Sequence, residues 1–183
     1  MLTEERETRH AADAPAGASV FLALGGNLGD REAVFRAALA SLRENGFAVD
    51  AVSGLYENAA VGCEEGAPPF YNAVAHGFWN GTPETLLALC RRLEAAAGRP
   101  ADHPHWHSRT LDLDLILFDG RVLNTEDLVI PHPLAHKRLF VMRPLAEIAP
   151  CAVFPTLHRT ASEILDSLGD DGSGMRFVKA ITL

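Results

Sequence analysis

Asp112 and Asp114 stand two residues apart in the run TLDLDLILF, and on an extended chain that spacing turns both carboxylates to one face, about 7 Å apart. Two hard anions aimed at one spot suit Mg²⁺, which prefers a few carboxylates plus substrate phosphates to an all-protein cage. The next residues, Leu115, Ile116, Leu117 and Phe118, are all apolar, so the strand enters a core while its acidic start stays at the rim. Alone, such a pair is more often the solvent-facing edge of a half-exposed strand. Its surroundings favour chemistry. Arg99 and Arg109 bracket the loop that feeds the strand, and an arginine fork matches phosphate oxygens bidentately. Cations beside metal-binding carboxylates make sense when a polyphosphate lies between them. Glu94, on the preceding helix, either orients one of these arginines or faces water.

Other polar residues carry weaker signals. The fragment HPHWHS sets His103, His105 and His107 at alternate positions, a transition-metal arrangement in principle, but Pro104 interrupts it and loops often carry histidines without binding anything. Trp106 within it is suited to covering a bound base or packing on the domain. His132, between Pro131 and Pro133, sits in a rigid turn from which it could donate to a phosphate or be satisfied by backbone. LALGGNLGD is glycine-rich after a strand and before a helix, yet it lacks the lysine and spacing of a P-loop and fits neither dinucleotide fingerprint.

The elements that must position these groups follow from local signals. SVFLALGG reads as a short buried strand, after which Asp30 caps a helix through REAVFRAALASLREN that Gly46 stops. Phe47 to Tyr56 and Phe70 to Trp79 read as strands, separated by a loop carrying Gly62, Gly66, Pro68 and Pro69. Thr82 and Pro83 start a second helix, whose buried face is Leu86, Leu89, Cys90 and Leu93, and Gly98 ends it. A loop from Arg99 to Ser108 leads into TLDLDLILF. Beyond that strand the chain reads as connections and short elements, with a last helix near Ala161 to Leu168. The order strand, helix, strand, strand, helix, strand predicts an α+β, ferredoxin-like (split βαβ) fold, mainly antiparallel, with helices on one face of the sheet.

Bulk composition is compatible with this. Of 183 residues, 48% are hydrophobic and 22% charged, the profile of one globular domain with a core sufficient without disulfides. Residues 1–18 are polar, alanine-rich and aperiodic and read as a flexible N-terminal tail, leaving 19–183 as a single domain. The three cysteines, Cys63, Cys90 and Cys151, are odd in number and widely spaced, which favours a reducing, cytoplasmic setting. The start of the chain has no apolar run of the signal-peptide or anchor type. A net charge of −8 repels nucleic acid and anionic membrane, so an anionic substrate must meet a local basic patch.

These segments together resemble one family, the 6-hydroxymethyl-7,8-dihydropterin pyrophosphokinases of folate biosynthesis, over residues 20–155. FLALGGNLGDR, LYENAAVG, FYNAV, LEAAAGR, RTLDLDLILFDGRVLNTEDLVIPHP and KRLFVMRPLAEIAP follow one another in the family's order. The resemblance implies transfer of diphosphate from ATP to the pterin alcohol, with AMP leaving. It implies that Asp112 and Asp114 hold two Mg²⁺ ions, that Arg99 and Arg109 brace the phosphates, and that Glu94, Trp106, His132 and Arg138 complete the ATP pocket. It places Asn72 on the pterin ring, Phe70 and Phe140 on the ring's two faces, and backbone near Asn58 and Val61 on its polar edge. A monomer is expected, with room for association with another folate enzyme.

The sequence also departs from the family. Ala101 and His105 stand where many members carry further arginines, Asp127 and Val129 where some carry arginine and threonine, Asn58 and Ala59 where threonine and proline are usual, and Gly26 where serine is common. Two other readings therefore stand beside the active enzyme: a relative that binds pterin or nucleotide with little transfer, and a metal-binding protein that uses the histidine loop.

Overall fold

The computed structural model describes residues 17–60, 64, 66–98, 108–169 and 174–181. Strand β1 (Ala18–Gly26) begins one residue before the expected Ser19, with Ala18 paired to Trp79. Helix α1 (Arg31–Glu44) starts where the Asp30 side chain accepts from Ala33 N at 3.1 Å, satisfying a backbone donor that the first helical turn leaves open. Phe35, Leu39 and Leu42, spaced to share one helix face, are buried.

The expected strand from Phe47 to Tyr56 is broken in two, β2 (Ala48–Val52) and β3 (Leu55–Asn58). Both run along β4 (Phe70–Trp79), but at Gly54 the backbone N–H turns away from the sheet to the Glu147 carboxylate. Tyr56 donates to the same carboxylate at 2.9 Å, and burial first, then that bond, pushes its phenol up to about 12. Helix α2 (Pro83–Ala96) has Thr82 as its cap and Pro83 in its first turn, as expected. β5 (Asp112–Phe118) completes the split βαβ plan.

The C-terminal third departs from the expectation of mere connections. After the short pair β6 (Leu123–Asn124) and β7 (Val129–Ile130) comes a tight turn, Ala135–Lys137, and then a ten-residue helix, α3 (Leu139–Ile148), with Pro144 inside it. The pair β8 (Val153–Phe154) and β9 (Arg159–Thr160) precedes α4 (Ala161–Leu168), which sits where the sequence predicts it. A last strand, β10 (Arg176–Lys179), is a further element that the sequence reading lacked.

The main sheet has six strands in the order β10-β3-β4-β1-β5 with β2 beside β4, all antiparallel. Helices cover both of its faces, not one. Val20, Leu22, Leu24, Leu113 and Leu115 pack with Phe35, Leu39, Leu42, Leu86 and Leu89 of α1 and α2. Phe21, Val74, Ile116 and Leu117 point the other way, against Val141, Met142 and Leu145 of α3 and Ile164 of α4. Each such fully buried side chain stabilises the fold by about 1.5–3 kcal/mol. The second layer exists because α3 brings an apolar face that only the far side of the sheet can cover. Cys90 lies in the first layer with its thiol pushed up to about 12 by burial, and Cys151 is exposed; neither is in a disulfide.

Candidate active site

Strand register assembles the site. Along β1, Ala23 pairs with Asp114 and Gly25 with Asp112; on its other edge Gly25 pairs with Asn72, which pairs in turn with Tyr56. Directly paired antiparallel residues share a face. Asp112, Asp114, Gly25, Asn72, Asn58 and Phe70 therefore lie on one surface, at the end of the face that α3 covers. The alternation read from TLDLDLILF is confirmed: the side chains of Asp112 and Asp114 are 22% and 39% exposed, while Leu113 and Leu115 are buried opposite.

Arg109 joins this surface from the residue run just before β5. Its Nη1 lies 3.1 Å from Asp112 Oδ2 and its guanidinium carbon 5.9 Å from the centre of the Phe70 ring. Its Nε is buried and has no hydrogen-bond partner among the described residues. A buried cationic N–H without an acceptor is costly, and the guanidinium that carries it lies beside the Asp112 carboxylate, where an anionic oxygen is the partner its charge favours.

Asn27 secures this arginine. Its side chain, 2% exposed, donates to Pro68 O at 3.1 Å and Ser108 Oγ at 2.8 Å and accepts from Arg109 N at 2.7 Å. The backbone N–H groups of Asn27 and Leu28 both donate to Arg109 O, so the glycine-rich turn uses these donors to hold the next segment and does not present them as a phosphate cradle. Sequence reasoning missed Asn27, because its partners lie some forty and eighty residues away.

Glu94, 8% exposed, reaches the opposite side of β5 and accepts from Leu113 N at 2.7 Å, bracing the strand between the two aspartates. His132 donates its backbone N–H to Ile116 O and receives Leu134 N on Nδ1, which leaves Nε2 as the ring's N–H, 4.0 Å from Asp114 Oδ2. Burial first, then the Arg138 charge, lowers its pKa to about 4, so this contact is between a neutral imidazole and a carboxylate and not an ion pair.

Asn72 donates to Asn58 Oδ1, and Asn58 donates to Ala59 O, so Asn58 enters through its side chain, fixing Asn72. Phe70 and Phe140 are half-buried, and Arg138 lies 5.6 Å from the Phe140 ring centre. Val61, Arg99, Ala101, His103, His105, Trp106 and His107 lie outside the described residues. Among the described residues no group of three or more His, Cys, Asp or Glu side chains is arranged to hold a metal. The Asp112–Asp114 pair offers hard oxygen donors, which match a hard cation that takes the rest of its shell from water and substrate oxygens.

A second polar series lies at the other end of the same face: Ser19 Oγ is 2.9 Å from His76 Nε2, and His76 Nδ1 is 2.9 Å from Asp50 Oδ2. Its order is that of a hydrolytic triad, but Ser19 N donates to Asp119 Oδ1 at 2.7 Å. That carboxylate beside the hydroxyl opposes the negative charge of an acyl-transfer intermediate.

Comparison with known proteins agrees with the geometry. Residues 21–150 match the family model described as 7,8-dihydro-6-hydroxymethylpterin-pyrophosphokinase. The 2-amino-4-hydroxy-6-hydroxymethyldihydropteridine pyrophosphokinase of Bacillus subtilis is 41% identical over 129 residues, 70% of this chain and 76% of its own. The same-named protein of Aquifex aeolicus is 33% identical over 80% of this chain and 89% of its own. A folic acid synthesis protein of Dictyostelium discoideum is 33% identical over 84% of this chain, which spans only 23% of that longer protein. The crystal structure of wild-type Plasmodium falciparum HPPK-DHPS with pteroate has a TM-score of 0.65 over 85% of this chain and 45% of that one; at 12% identity this speaks for the fold alone. With a matched model over most of the chain and two relatives that align along most of their length, the chain belongs to the 7,8-dihydro-6-hydroxymethylpterin-pyrophosphokinase family.

Proposed function

We propose that the chain transfers diphosphate from ATP to 6-hydroxymethyl-7,8-dihydropterin and releases AMP, as a cytoplasmic step of folate synthesis. The observation that carries this reading is the guanidinium of Arg109 set beside Asp112, its buried Nε without an acceptor among the described residues, on the same sheet surface as the Asn58–Asn72 pair. One end of that surface suits phosphate oxygens and the other the hydrogen-bonding edge of a heterocycle.

Asp112 and Asp114 would hold Mg²⁺, two ions in our reading, which when bound neutralises charge on the triphosphate. Arg109 would bind phosphate oxygens through its guanidinium fork, and Arg99 would brace the phosphates with it. His132 offers Nε2–H as a neutral donor; with Nδ1 already occupied by Leu134 N, it has no lone pair free to take a proton. Arg138 and Trp106 would line the nucleotide pocket, whereas Glu94, expected in that pocket from the family resemblance, acts from the opposite side of β5 by bracing the strand. Asn72 fixes the pterin, with Phe70 and Phe140 against its faces and the backbone near Asn58 and Val61 at its edge.

The hydroxymethyl oxygen attacks the β-phosphorus in line, the bond from that phosphorus to the oxygen of the α-phosphate breaks, and the hydroxyl proton leaves to solvent. Catalysis then comes from holding two substrates in line and from opposing the developing charge. The test is direct: incubate the protein with ATP, Mg²⁺ and the reduced pterin alcohol and separate the nucleotides. AMP formed in step with pterin diphosphate is the expected result; ADP, or no product, overturns the assignment.

A further inference from the structure

β1 ends on two glycines, and the structure gives them different reasons. At Gly26 a Cβ would lie 2.4 Å from the carbonyl oxygen of Thr110, so close backbone approach excludes any side chain. Nothing of the kind holds at Gly25. Its φ is outside the left-handed region, and among the described residues an added Cβ would meet only Asn72 Oδ1 and Asp112 Cβ, each at an ordinary contact distance of 3.7 Å.

Gly25 has paired strands on both sides, where glycine weakens a sheet by its extra freedom in the unfolded chain and by offering nothing to pack. The fold would accept alanine here and gain from it. What glycine preserves is empty space above the strand, and its half-buried setting leaves that space open. Both neighbours are tied back and cannot retreat from a new methyl: Asn72 to Asn58, and Asp112 to Arg109 at 3.1 Å.

We infer that Gly25 is a clearance residue for the transfer: the bare strip over which the hydroxymethyl arm crosses from the pterin at Asn72 to the phosphate at Asp112. This rests on the function proposed above. One methyl at this position keeps the substrates from meeting while leaving the fold and the remote nucleotide contacts in place.

The test uses Gly25→Ala and Gly25→Val in the full chain. The expected results are a thermal midpoint equal to or above that of the unsubstituted chain, and MgATP affinity by calorimetry within about twofold. AMP release at saturating substrates should fall by about 100-fold in Gly25→Ala, the order of loss that misplacement of reacting groups produces, and further in Gly25→Val. If the unsubstituted chain is active and Gly25→Ala stays within about threefold of it, the clearance role is wrong and the function stands. If activity falls only in proportion to lost folded protein, glycine is there for the fold and the inference fails. If the unsubstituted chain makes no AMP, the function fails and takes this inference with it.

Discussion

Replacing either Asp112 or Asp114 by Ala removes a carboxylate from the sheet's open surface and leaves the hydrophobic layers untouched, because both side chains are only partly buried and their neighbours Leu113 and Leu115 face the other way. AMP release should fall to background in each variant while circular dichroism and thermal midpoint stay near those of the unsubstituted chain; undiminished turnover in either would remove the metal assignment. His132 supplies a second residue-level prediction. Its pKa in the fold is about 4, against an ordinary 6.5, so between these values the unfolded chain holds the extra proton and the folded one does not. Stability from this group is thus complete above about pH 6.5 and is lost as pH falls toward 4, by roughly 2 kcal/mol after allowing for solvent screening. Urea denaturation of the metal-free chain and of His132→Gln at two pH values measures it: the variant should lose less stability on acidification.

Among the elements, β5 and the segment before it are held from two sides. Glu94→Ala leaves Leu113 N buried without its acceptor and should cost about 1–3 kcal/mol, whereas Glu94→Gln keeps an acceptor and should cost less. Asn27→Ala breaks three hydrogen bonds at once and should cost roughly 2–4 kcal/mol in denaturant titrations, with kcat/KM falling beyond what the lost folded fraction explains, since Arg109 loses its anchor.

Up to Phe118 the elements were legible in the sequence, except the break between β2 and β3, because their signals are local: Asp30 and Thr82 as caps, glycines after the helices, and alternation along the strands. α3 was not, because Pro144 in its middle reads as a breaker and its mostly apolar face shows its meaning only against the far side of the sheet. β10 is four residues at an edge with Phe177 exposed, too short to stand out. The aspartate pair was readable from spacing, whereas Asn72 came through the family resemblance. Gly25 needed strand register and Asn27 its distant hydrogen-bond partners, neither of which a local pattern encodes.

At the scale of the whole molecule, one sheet serves as the shared wall of two hydrophobic layers, so neither layer should melt alone. Phe35→Ala in the first and Phe154→Ala in the second should each destabilise by roughly 3–5 kcal/mol. In both, far-ultraviolet dichroism and aromatic signals should still change in one coincident transition, and separated transitions would show the layers to be independent.

β4 runs the full length of that sheet, from Phe70 at the end that carries Asp112 and Asn72 to Trp79 at the other, where the indole N–H lies 3.2 Å from both Thr82 O and Thr85 Oγ1. Seven residues separate Trp79 from Asn72, about 23 Å of strand. The protein has two tryptophans, and this one is a spectator whose emission should stay constant while ligands load. Under the proposed function, any quenching or spectral shift in a titration then belongs to Trp106, so a Trp79→Phe chain carries one native tryptophan as its probe, ready for stopped-flow work without an attached dye.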